Sequence, residues 1–169
     1  MSPIRITVND DNRIPQVLAD LSVAKQKKAK IGYMQNTELG MIASVHEFGA
    51  RIQVTDKMRG FLASQGLYLK ASTTHIVIPE RSFLRTGTDA NIQAVQDKAQ
   101  ELITKVVDGN VSVETFFEMV GLELKGKIQK YAIDLNNPVN HPFTVERKGS
   151  NNPLVDNGGL IQAMEVEIE

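Results

Sequence analysis

Two consecutive stretches decide the fold class: TDANIQAVQDKAQELITKVV at 88–107 and, after Asp108-Gly109-Asn110, SVETFFEMVGLELKGKIQKYAIDL at 112–135. In the first, Ile92, Val95, Ala99, Leu102, Ile103 and Val106 recur at helical spacing and mark one apolar face. In the second, Ser112 supplies N-cap chemistry, and Val113, Phe116, Phe117, Val120, Leu124, Ile128, Tyr131 and Leu135 form a continuous stripe. The spacing predicts two long amphipathic helices joined by a tight turn. Gly121 and Gly126 interrupt the second stripe. Each costs about 1 kcal/mol relative to Ala in a helix interior, so they predict a close approach of another backbone and mark a subunit contact as one use of that approach.

Working outward from this pair, the flanks alternate short strands and short helices. Upstream, Ile4, Ile6 and Val8 alternate with polar residues as a strand, and a helix is expected over 14–23 from Ile14, Val17, Leu18 and Leu21. Lys25, Lys27, Lys28 and Lys30 follow, then a short strand at 31–33. A helix is predicted over 39–48, ended by Gly49, and another over 56–66; 68–78 reads as extended, stopping at Pro79. The segment 51–74 has no sustained period, which predicts a long hairpin or a mobile excursion. Downstream, the Asn-, Pro- and Gly-rich 136–159 reads as an irregular connection. The chain closes on Met164-Glu165-Val166-Glu167-Ile168-Glu169, a strand with one apolar and one acidic face. The whole, 1–169, is read as a single α+β domain.

Composition narrows the chemistry. The 169 residues carry 19 basic and 20 acidic side chains, too balanced for the broad positive field of a tight nonspecific nucleic-acid binder. Zero cysteines exclude disulfides, thiolate zinc sites, iron–sulfur clusters and a Cys nucleophile. The opening residues have no apolar signal core, so folding in a cytoplasm is expected. Dispersed glycines make no phosphate loop, and His46-Glu47 lacks the second histidine of the metalloprotease signature, because position 50 is Ala. His46 is therefore read as a helix-end or packing histidine, with a proton relay as the functional option. Ser72-Thr73-Thr74-His75 places hydroxyls beside an imidazole, but neighbours on a strand point to opposite faces. No constellation nominates an enzyme, and no cofactor or metal is expected.

Three segments, in order, carry more information: Ile42-Ala43-Ser44-Val45-His46-Glu47-Phe48-Gly49, Ile78-Pro79-Glu80-Arg81-Ser82-Phe83-Leu84-Arg85, and Asn152-Pro153-Leu154-Val155-Asp156-Asn157-Gly158-Gly159-Leu160. Locally, Phe48-Gly49 ends a helix and Pro79 stops a strand. Phe83 and Leu84 plug a core between Arg81 and Arg85, and Asp156-Asn157-Gly158 turns the chain so that Leu160 restarts apolar contact. Their combination and spacing resemble the neck or tail-completion proteins of tailed bacteriophages, the virion morphogenesis or minor tail group. Asn157 departs from the Thr usual in that family.

The resemblance implies a curved, mainly antiparallel sheet packed against two long helices. It also implies a non-enzymatic structural role, as a homo-oligomeric ring, with six copies as one option, around the DNA channel at the head–tail connection. Its partners would be connector or head-completion proteins and tail-terminator or tail-tube proteins, with DNA only passing through and no membrane. The expected location is the virion, after assembly in the host bacterial cytoplasm, from a phage or a prophage gene. Glu165, Glu167 and Glu169 are then candidates for a channel-facing surface. The alternative is a small nucleic-acid-binding module using the lysines at 25–30, and the weaker one a metal hydrolase using His46 and Glu47.

Overall fold

The structure is a computed structural model and describes residues 12–35 and 37–169, with the backbone alone at Thr37. The strand expected at 4–8 and the acidic pair Asp10-Asp11 lie outside the described residues. The frame is an antiparallel pair of long helices, α4 (Phe83–Val107) and α5 (Val113–Asp134), which make the most extensive element–element packing in the molecule. Val95, Leu102 and Val106 of α4 and Val113 and Ile128 of α5 are buried, as the stripes require. The Ser112 hydroxyl accepts the Thr115 N–H at 3.1 Å, the N-cap expected from sequence.

Helix α4 begins at Phe83, five residues before the expected start at 88, and buries Gly87 against the Tyr131 ring. Around this pair the chain adds α1 (Ile14–Ala24), β1 (Ala29–Gly32), α2 (Thr37–Phe48), β2 (Ala50–Gln53), α3 (Asp56–Ser64), β3 (His75–Ile78), α6 (Pro142–Lys148), α7 (Gly159–Gln162) and β4 (Glu165–Ile168). The fold is α+β, but instead of one curved sheet the described residues form two separate antiparallel pairs. β1 lies beside β4 with Lys30 opposite Glu167, and β2 lies beside β3 with Arg51 opposite Val77. Periodicity identifies strands; it carries no information on which strands pair.

Three further expectations change. The extended reading of 68–78 holds only for β3, because 67–74 is a loop folded around Arg59, whose guanidinium donates to the carbonyls of Leu69, Lys70 and Thr73 at 2.8–3.2 Å. The segment 51–74 thus lies within a hairpin, β2 to β3, with a helix inserted between its strands. The connection 136–159 contains α6, capped by the His141 ring, which accepts the Phe143 N–H at 3.3 Å. Most of the apolar stripe of α1 stays exposed, with Ile14 and Leu18 both open to solvent.

The two glycines of α5 part company. A Cβ at Gly121 would come within 2.6 Å of Val166 Cγ1, so this glycine lets the β1–β4 pair lie on the helix. A Cβ at Gly126 would meet nothing within 4 Å. The close approach at Gly121 is therefore internal, and the residue is buried by its own chain rather than offered to a subunit.

Candidate functional site

The most elaborate polar arrangement is assembled by the last turn of α2 and the turn leading into α4. α2 ends at Phe48 because Gly49 takes φ +70°, and a Cβ there would come within 3.0 Å of the Ile78 carbonyl and the Glu80 nitrogen. This sharp stop presses the end of α2 onto the end of β3, and the Arg81 N–H donates to the His46 carbonyl at 2.7 Å.

Glu47 is only 3% exposed, and its carboxylate takes four hydrogen bonds. It accepts from the Ser82 hydroxyl (2.8 Å), the Leu84 N–H (2.9 Å), the Arg85 N–H (3.0 Å) and Arg85 Nε (2.9 Å). Two of these donors are first-turn amides of α4, a helix whose own N-cap residue, Ser82, makes no capping bond. Glu47 therefore caps α4 from another helix, and its charge complements the positive end of that dipole. Burial pushes its carboxyl upward, but the Leu84 and Arg85 amides and the Ser82 and Arg85 side chains outweigh it, leaving the group below its ordinary range. Arg85 also reaches the Glu47 carbonyl (3.1 Å) and Glu80 (2.7 Å), and its guanidinium lies 4.8 Å from the centre of the Phe48 ring.

Arg81 points the other way and is 4% exposed. It makes no ion pair among the described residues. Its donors end on neutral oxygens: Pro138 (2.9 Å) and Val139 (3.1 Å) carbonyls and Asn140 Oδ1 (3.2 Å). The fourth contact is His46 Nδ1 at 3.4 Å, where a guanidinium can only donate, so the ring is neutral with its proton on Nε2. Burial, then the charges of Arg81 and Lys148, pull the His46 pKa down to about 4.

The third segment closes the site. Asn152 Oδ1 accepts the Leu154 and Val155 N–H groups, both at 2.9 Å, an Asx turn that delivers buried Pro153 and Leu154 to the core. Gly158 takes φ +83° and starts α7, so that Leu160 is buried. The Leu160 carbonyl accepts from the Tyr33 hydroxyl at 2.9 Å. Leu154, Leu160, Ala43 of α2 and fully buried Phe83 belong to one apolar cluster. A cleft of about 350 Å³ remains between His46, Lys148, Leu154 and Asp156; Asp156 itself is exposed.

The arrangement holds a junction together. Glu47 does not line the cleft, its carboxylate being turned to Ser82, Arg85 and the first amides of α4, and His46 is turned onto a cation. Among the described residues no group of three or more His, Asp or Glu side chains could hold a metal ion. His75 and Thr74 do meet, Nδ1 to Oγ1 at 3.0 Å, which corrects the expectation of opposite faces: Thr74 precedes β3, so strand alternation does not apply to it. Two of the four lysines at 25–30 are engaged in ion pairs. Lys27 pairs with Glu114 at 3.5 Å, Lys30 pairs with Glu169, and the run spans the end of α1 and the start of β1. Glu165, Glu167 and Glu169 share a strand face, with Glu165 half-buried. Asn140 and Lys148 carried no signal in the sequence, while Asn152 stood there as the first residue of the third segment, its turn-forming role legible only as the general Asx-turn preference of asparagine. Comparison with protein-family models, with curated proteins and with solved structures gives no match.

Proposed function

We propose that this chain is a non-enzymatic structural protein of the head–tail connection of a tailed bacteriophage, a neck or tail-completion component. It assembles as a ring around the DNA channel and joins tail to capsid. One observation supports the reading above the others: the three segments that carry the resemblance, 42–49, 78–85 and 152–160, are far apart in the chain yet meet at one junction. Glu47 of the first holds Ser82 and Arg85 of the second, while Leu154 and Leu160 of the third pack in the same cluster as Phe83. A spacing pattern whose parts interlock is a single structural device, which is what a family-wide motif set encodes.

In this role function resides in surfaces. The partners are further copies of the chain, in a ring of which six copies are one arrangement, together with connector or head-completion and tail-terminator or tail-tube proteins. DNA passes through without being held, and the site of action is the virion. A ring makes each contact heterologous, so each copy presents two different patches. Electron microscopy of particles assembled without this protein tests the proposal. Unjoined heads and tails are expected; normal virions would overturn it.

A further inference from the structure

The cleft of about 350 Å³ beside the junction is walled by Ile42 and His46 of α2, Lys148 at the end of α6, and Leu154 and Leu160 of the third segment. Its size falls at the small end of ligand pockets, about 300–1,000 Å³. Two of its polar groups are obligate donors. Arg81 donates to His46 Nδ1 at 3.4 Å, which fixes the ring proton on Nε2. No acceptor among the described residues meets that Nε2–H. Every buried side-chain nitrogen among them has a partner, so Nε2 opens onto accessible space, and the space that His46 lines is the cleft. The Lys148 ammonium has three hydrogens to donate, and the contact it makes is to the Asn152 carbonyl at 2.8 Å.

The charge around these donors is of one sign. Arg81 stands behind the His46 ring, 4% exposed and without an ion pair among the described residues, while Glu47 is paired with Arg85. Burial, and with it the Arg81 charge, lowers the pKa of both His46 and Lys148. Asp156 opposes this at Lys148 from an exposed position without reversing it. A negatively charged acceptor would meet two waiting donors and answer a cation that has only neutral partners.

We propose that this cleft binds a small organic carboxylate, its oxygens on His46 Nε2 and Lys148 Nζ and a short apolar body against Ile42, Leu154 and Leu160. Inorganic phosphate matches the donors but not the apolar walls, and a neutral amide matches the walls but not the charge. The site draws on all three segments of the junction: His46 comes from the first, Leu154 and Leu160 from the third, and Arg81 of the second holds the ring. Occupancy therefore stabilises the junction by mass action. The inference is independent of the proposed phage role.

Nuclear magnetic resonance of the His46 ring tests it, in the full chain titrated with sodium butyrate, butyramide and sodium phosphate at matched ionic strength. Butyrate is expected to shift the His46 signals saturably, with butyramide and phosphate leaving them almost in place. Lys148→Met, which keeps the apolar stem, should weaken butyrate binding about tenfold or more. His46→Phe should abolish the saturable shifts at Leu154 and Leu160, and if that variant does not fold, Lys148→Met still decides. No saturable shift with butyrate, an equal response to butyramide, tighter binding of phosphate, or unchanged affinity in Lys148→Met would each overturn the proposal. His46 signals that move with protein concentration alone would overturn it in favour of an acidic side chain from a second copy.

Discussion

The junction of α2 with α4 and the β2–α3–β3 excursion are built from adjacent stretches of chain but on opposite principles. At the junction, polar groups are buried and every one is answered: Glu47 carries four donors and Arg81 four acceptors, around a Phe83 ring with no exposure. In the excursion, no residue of α3 is buried, and Phe61, Tyr68 and Val77 are open to solvent at 62%, 81% and 68%. Its order comes from the β2–β3 ladder, the Thr55 cap on Met58 and the three carbonyls gathered by Arg59. Saturated buried charge fixes one geometry, whereas apolar area left in water adds nothing to the stability of the excursion.

Breaking the junction is expected to have the largest effect. Phe83→Ala should cost about 3–5 kcal/mol, measured as a lowered urea midpoint. Glu47→Gln is subtler, since an amide nitrogen would face donors where an oxygen now accepts; a loss of about 1–3 kcal/mol is expected with no change of fold by circular dichroism. Acid should act through the same place. The pKa of His46 is held at about 4, so the unfolded chain binds its proton first. The stability this contributes is complete above about pH 6.5 and is lost as pH falls towards 4, a decline of roughly 2–3 kcal/mol. Glu47, also lowered, adds a further loss that starts as pH falls through the ordinary carboxylate range, about 4.5, and continues below it. In His46→Gln the slope between pH 6.5 and 4 should flatten, as read from urea midpoints across pH. The excursion should answer more weakly: Thr55→Ala is expected to cost about 1 kcal/mol. In the native protein, amides of 56–74 should exchange faster than those of 92–106, and equal protection of the two would erase the contrast.

What the sequence discloses follows the range of the interactions. The α4–α5 pair, the Ser112 cap and the Gly49 stop are set by residues within one or two turns, so they are legible. The first turn of α4 is not, because Gly87 depresses local propensity and the compensating cap comes from Glu47. Helix α6 carried its own signals, Pro142 at the start and Gly149 at φ +65° at the end, but they were submerged in an Asn-rich context. At the site, His46, Glu47, Arg81, Phe83 and Arg85 stand out as a pattern, yet the carbonyls that satisfy Arg81 belong to residues 138 and 139, which nothing local connects to it. The interior use of Gly121 depends on strand pairing and could not be told from a subunit contact by spacing alone.

The cap that Glu47 places on α4 also bears on the order in which the chain folds. The α4–α5 hairpin closes through a turn of a few residues, whereas the bond from Glu47 to the Leu84 N–H joins positions 37 apart. Closing that loop carries an entropy that only the assembled junction offsets, so the expected order is the hairpin in the nucleus and the Glu47 contact after the barrier, which a folding φ-value near zero for Glu47→Gln would check. A weakened cap is then felt as faster unfolding at an almost unchanged folding rate, making residue 47 a determinant of how long the native state lasts rather than how quickly it is reached.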